Sequence, residues 1–259
     1  MLQTQLQLYY DQRIKHVFNH LHDFDIYATE NALHDFRVEI KKLKAILKFL
    51  KTIYPKQKLK KSARELNHIF QDAGEIREYQ LLQQWLNKYE LNLSFNSYFP
   101  PSNLQKMIKG FHGETNQFKV HIKELNENVA KYIAATNEIL AEHYVRDLQA
   151  HIDKLIRKNC PETEWHSLRK LIKQWMYAIN WLDKKDDADI AYYQKLQESI
   201  GYWHDAEVIK ESLVLKKIHL SVDVELQKAY SLACDKLNHS MRYREKQIVE
   251  MFSKKEIIA

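Results

Sequence analysis

Apolar residues return at steps of three and four along nearly all of the 259-residue chain, and strand-like alternation is scarce. The pattern predicts helices throughout. A first covers residues 2–22. A second runs from about Glu30 to Tyr54, with Thr29 suited to cap it and Pro55 to end it. Residues 58–73 and 75–90 read as two shorter helices meeting near Gly74, and "LNLSFNSYFPP", 91–101, reads as a loop. A polar helical stretch from about 102 to 158 is expected to break at Gly110 or Gly113. Pro161 fits the first turn of a helix that reaches about Lys184. "DKKDDAD", 183–189, predicts a turn, followed by helices near 189–200 and 202–219 that meet at Gly201, and a last helix from about 222 to 254.

The same pattern occurs twice. "HDFRVEIKKLKAILKFL", 34–50, laid over "HSLRKLIKQWMYAINWL", 166–182, pairs His34, Arg37 and Lys41 with His166, Arg169 and Lys173. It also pairs the apolar Phe36, Ile40, Leu43, Leu47 and Leu50 with Leu168, Ile172, Trp175, Ile179 and Leu182. Further on, "AGEIREYQLL", 73–82, matches "IGYWHDAEVI", 200–209, pairing Gly74 with Gly201 and Glu78 with Asp205. Two motifs in the same order imply an internal duplication. One domain over 1–259 is expected, with halves at 1–112 and 113–259.

The first copy carries an unusual file of charge. At 100° per residue, Arg37, Lys41, Lys44 and Lys48 fall within ~60° of one another and beside His34, flanking the apolar stripe rather than opposing it. Like charges at such spacing repel by roughly 0.2–0.5 kcal/mol per neighbouring pair. A solvated helix face ordinarily mixes signs, whereas this file holds no acid, which points to an anionic ligand. In the second copy His166, Arg169 and Lys173 occupy the same arc, continued by Met176 and Asn180.

Composition narrows the classes. With 40 Lys and Arg against 34 Asp and Glu the net charge is +6, a modest lean towards anions, so distribution has to decide. No apolar run approaches the ~18 residues of a membrane span, and "MLQTQLQLYYDQRIK" lacks the form of a secretory signal, so a cytoplasmic location is expected. Cys160 and Cys234 stand alone, as buried small hydrophobes rather than a disulfide or zinc set. Phosphate-binding glycine loops, HExxH, nucleophile elbows and metal-spaced carboxylates are missing, so no catalytic residue, metal or cofactor is assigned. Glu162 and Glu164 read as first-turn acids, and Glu78 and Asp205 as acids near helix N-termini that favour the helix dipole.

The pair "HDFRVEIKKLK" and "HSLRKLIKQWMY", each followed by a Gly-x-x-Arg/His-acid stretch, resembles the CHAD family, the conserved histidine α-helical domain. The resemblance covers nearly the whole chain. It implies an all-α fold of two four-helix bundles related by a pseudo-twofold, and non-catalytic binding of inorganic polyphosphate on a basic surface between the halves. Polyphosphate granules and polyphosphate-metabolising enzymes would be its surroundings. Carried over residue by residue, the family pattern falls on His34, Arg37, Lys41 and Lys44 in the first copy, and on His166, Arg169, Lys173 and Tyr177 in the second. Lys48 continues the file and Arg77 keeps the arginine of the glycine motif. Lys44 stands where the family often has Arg, Met176 where a basic residue is usual, Asn180 where an acid is usual, and His204 replaces the arginine.

Those residue types suit a flexible polyanion, which offers no sequence to read and asks only for a cationic track. Lysines supply point charges, and the arginines can fork two hydrogen bonds onto phosphate oxygens. Two other classes stay open: a helical nucleic-acid binder, although no recognition helix or stacking platform is apparent, and a histidine-dependent phosphohydrolase. Since phosphate favours the charged imidazole, binding is expected to tighten as pH falls from ~7.5 to ~6. Affinity titrated against pH measures this, and a flat profile would remove His34 and His166 from the site.

Overall fold

The computed structural model describes residues 2–55, 59–182, 188–216, 218, 221 and 223–258. Among them are nine α-helices and no strand: α1 (Leu2–Tyr27), α2 (Glu30–Ile53), α3 (Lys60–Lys88), α4 (Asn92–Phe95), α5 (Pro101–Ala134), α6 (Glu138–Arg157), α7 (Glu162–Ile179), α8 (Ala188–Leu215) and α9 (Val224–Ile258). The fold is all-α, as the periodicity predicts. The "DKKDDAD" turn lies for the most part outside the described residues.

Two compact units divide the chain. One comprises residues 1–77, 105–148 and 174–186, the other 78–104, 149–173 and 187–259. In the first, α1 and α2 are joined by only Ala28 and Thr29. Thr29 Oγ1 accepts from the Ala32 amide at 3.2 Å, capping α2. All five apolar positions of the α2 stripe are buried: Phe36, Ile40, Leu43, Leu47 and Leu50. On the flank of α2 away from the cationic file, buried Glu39 pairs with Arg13 of α1 at 3.1 Å and with Lys42 at 2.7 Å. Arg13 therefore ties α1 to α2 through Glu39. In the second unit, Leu168 and Ile172 of α7 are buried with Trp165, whose ring meets Trp203 of α8 edge-on at 5.2 Å. A further cluster there joins Leu82, Leu86, Phe95 and Phe99 to Ala206, Ile209, Leu213 and Leu237.

Three differences from the sequence expectation share one reason, that glycine does not break these helices; separately, α1 runs past residue 22 to Tyr27, and α7 stops at Ile179, short of the expected Lys184. The helices expected to meet at Gly74 are the single helix α3, and those expected to meet at Gly201 are the single helix α8. Gly110 and Gly113 lie inside α5, and the break falls instead after Ala134, where Asn137 Oδ1 accepts from the Leu140 amide at 3.0 Å and restarts the chain as α6. No glycine has positive φ. The left-handed residues that end α1, α3 and α6 are Ala28 (φ 49°), Glu90 (φ 57°) and Asn159 (φ 46°). Glu78 and Asp205 consequently lie in helix interiors rather than at N-termini, while Glu162 and Glu164 do occupy the first turn of α7. "LNLSFNSYFPP" contains the one-turn helix α4. Cys160 is buried, with its thiol pushed up to about 11 by desolvation, and Cys234 is only partly buried.

Gly110 and Gly113 are exposed, and a Cβ at either would meet nothing within 4 Å. Gly110→Ala and Gly113→Ala should each raise the unfolding free energy by about 1 kcal/mol, through helix propensity alone. Urea unfolding measures it; a loss of stability at both would show that α5 depends on its glycines.

Candidate anion-binding surfaces

In the first unit the cationic file of α2 is organised by an aromatic ring from α3. The Phe70 ring carries the Lys44 ammonium at 4.2 Å from its centroid, the Arg37 guanidinium carbon at 4.3 Å and the Lys41 ammonium at 5.7 Å. Each such contact contributes roughly 0.5–1 kcal/mol when exposed, comparable with the repulsion between neighbours in the file. Arg37 is fixed further: its Nη1 donates to the Phe70 carbonyl at 2.8 Å. Seven residues along α3, Arg77 Nη1 lies 3.7 Å from Glu30 Oε2 in the first turn of α2. His34 is exposed, and Arg37, Lys41 and Lys44 are partly so.

Lys48 ends the file differently. The residue is exposed, yet its ammonium reaches Gln174 Oε1 at 2.6 Å, and Gln174, buried, donates in turn to the Tyr144 hydroxyl. Burial at that contact lowers the lysine pKa from its ordinary value. Tyr177 is partly buried on α7, within electrostatic reach of Tyr9.

In the second unit, α7 presents His166, Arg169 and Lys173, all partly buried. Arg169 Nε donates to the Gln197 carbonyl of α8 at 3.1 Å. The His166 and His204 rings lie 4.1 Å apart, and His204 Nδ1 is 3.3 Å from Glu207 Oε2. Burial lowers the pKa of Lys173, as does the neighbouring Arg169 charge, while Glu198 and Asp205 oppose the shift. Acids are close here. Burial raises the Glu162 pKa, with Glu245 and Glu207 adding to the effect.

The structure thus gathers Arg37, Lys41 and Lys44 on one ring, sets Arg77 beside the start of α2, and groups His166, Arg169 and Lys173 on one face of α7. Arg77 lies in mid-helix rather than at a helix start, because Gly74 does not interrupt α3. Sequence reading missed Phe70, the organising residue. Its signal was present: it stands four positions before Gly74, on the same helical face, where an apolar side chain is easily read as ordinary core. Two clefts, of about 600 and 200 Å³, are lined by none of these residues; the first lies among Tyr89, Lys236, His239 and Tyr243, the second among Asp72, Glu75, Phe111 and Glu114. Among the described residues no group of three or more His, Cys, Asp or Glu could hold a metal ion, and no helix is long and apolar enough to cross a membrane.

Phe70→Leu keeps the bulk and removes the π face. It should lower the unfolding free energy by about 1–2 kcal/mol, the value of two close cation–π contacts. Chemical denaturation checks this, and an unchanged midpoint would show that the ring does not steady the file.

Comparison with known proteins agrees with the motifs. The family model described as CHAD domain matches residues 8–214. Among solved structures, the crystal structure of the CHAD domain from the plant Ricinus communis is similar at a TM-score of 0.72 and 16% sequence identity, covering 98% of this chain and 92% of that one. No curated protein matches the chain.

Proposed function

Since the chain belongs to the CHAD domain family, we propose that it binds inorganic polyphosphate without catalysing its breakdown, on the cationic face of α2 and, more weakly, on that of α7. One observation carries the reading: three cations of α2, Arg37, Lys41 and Lys44, converge on the single ring of Phe70. A solvated helix face gains nothing from collecting like charges; a surface that neutralises a polyanion gains from every one of them.

The chemistry follows from residue type. Lys41 and Lys44 offer point charges separated by about one helical turn, so a chain of phosphates lying along α2 meets a cation every ~5 Å. The Arg37 guanidinium adds a planar fork for two phosphate oxygens, and exposed His34 adds a hydrogen-bond donor that charges as the pH falls. In the second unit the acids near Lys173 and around Glu162 reduce the net positive field, which is why α7 is the weaker half. Binding of this kind would carry the protein to polyphosphate granules and to the enzymes that build or consume the polymer.

A titration with long-chain inorganic polyphosphate tests the proposal. Replacing His34, Arg37 and Lys41 together by alanine should weaken binding roughly 10- to 100-fold, at ~0.5–1 kcal/mol per partly exposed charge. The same change at His166, Arg169 and Lys173 should cost less, and both sets together should abolish binding. Unchanged affinity in the α2 variant overturns the assignment. Stronger competition by single-stranded or duplex nucleic acid than by polyphosphate would favour a nucleic-acid binder, and phosphate released in the presence of a divalent metal would reveal a hydrolase.

A further inference from the structure

Gly74 and Gly201 are helix-interior glycines with ordinary backbone dihedrals, so conformational freedom does not explain them. Space does. A Cβ built on Gly74 would lie 2.7 Å from Arg37 Nη1, and one built on Gly201 would lie 2.8 Å from Arg169 Nη2 and 3.0 Å from its Nε. The shortest distance at each glycine, 2.7 and 2.8 Å, is closer than real Cβ contacts essentially ever come. Each arginine also donates to the carbonyl four residues before its glycine: Arg37 to Phe70 at 2.8 Å, Arg169 to Gln197 at 3.1 Å.

The offset of four has a geometric cause. In an α-helix the Cα–Cβ bond tilts towards the N-terminus, so the side chain at position i covers the surface over the preceding turn. The carbonyl at i−4 already accepts the amide of residue i, but a carbonyl oxygen has a second lone pair. Omitting the Cβ at i uncovers that lone pair. A guanidinium can then lie against the helix and be held on that carbonyl.

We propose that Gly74 and Gly201 are positioning residues for the anion surfaces: each uncovers the helix carbonyl that tethers its arginine, and so fixes the direction in which the guanidinium meets phosphate. This rests on the polyphosphate reading above. The tether suits Arg rather than Lys, because one N–H is spent on the carbonyl while the rigid fork keeps the others in a set plane. Holding the side chain in place before the ligand arrives removes the entropy of ordering it afterwards. The atoms that a new Cβ would strike belong to the far end of a flexible side chain. Adding it therefore displaces the arginine and leaves α3 or α8 intact.

A double-mutant cycle on the full chain separates this from a packing role. Gly74→Ala should weaken long-chain polyphosphate binding roughly 3- to 10-fold, the value of losing one pre-ordered side chain. Its melting temperature should stay within a few degrees of the wild type, because the helix propensity that alanine adds offsets the ring contact and carbonyl hydrogen bond that the displaced Arg37 gives up. In the Arg37→Lys background the same change should alter affinity by less than about twofold, since the two positions act as one unit. Gly110→Ala, in open space, should leave affinity unchanged. Gly201→Ala with Arg169→Lys repeats the cycle in the second unit. The inference is overturned if Gly74→Ala binds as the wild type does, if its effect adds fully to that of Arg37→Lys, or if the affinity loss comes with a fall in melting temperature large enough to unfold the chain at the assay temperature. A wild-type chain that does not bind polyphosphate overturns the functional reading itself, and this inference with it.

Discussion

Crowding of like charge on one side of α2 is the constraint to which the surrounding residues answer. His34, Arg37, Lys41, Lys44 and Lys48 sit beside a stripe that has to be buried, so they cannot spread apart without turning the helix out of its core. Four of the five are steadied by groups that carry no charge. The Phe70 ring underlies Arg37, Lys41 and Lys44. The Phe70 carbonyl takes one guanidinium proton. Gln174 takes the Lys48 ammonium. A ring or a carbonyl steadies a cation without cancelling its charge. The surface remains positive while its side chains are ordered, which is what capture of a flexible polyanion requires.

The two units use the same device with different surroundings. An arginine is tethered beside a helix glycine in each, on the carbonyl one turn earlier, at positions that the repeated motifs align. Around Arg37 the aligned positions carry Phe70 and Arg77; around Arg169 they carry Gln197 and His204. An aromatic platform and an arginine are thus replaced by an amide and a histidine that lies beside Glu207. The motif therefore persists while the net field weakens, and the first unit holds the more cationic surface.

Much of this was legible in the sequence. The buried stripe of α2, the cationic file beside it and the cap at Thr29 follow from period and residue type, because those depend on neighbours within a few turns. What failed was the meaning of glycine. Gly74 and Gly201 read as breaks since a glycine in a helix costs about 1 kcal/mol without compensation. Their compensation comes from Arg37 and Arg169, tens of residues away in the chain, and no local window contains both partners. Phe70 was missed for the same reason: its periodicity says only that it is apolar, and the cations gathered on its ring belong to another helix. The end of α1 was equally opaque: expected at residue 22, it lies at Tyr27, before an Ala28 whose left-handed conformation its residue type does not announce.

The central claim is electrostatic: the α2 file is a surface for a polyanion. Its most direct test is the dependence of polyphosphate affinity on sodium chloride, measured for the wild type and for Lys41→Ala with Lys44→Ala. A linear fall of log affinity with log salt is predicted, through release of condensed counterions. Its slope should become shallower by about 1 for each lysine removed. An affinity indifferent to salt, or a slope that the two substitutions leave unchanged, would contradict the account.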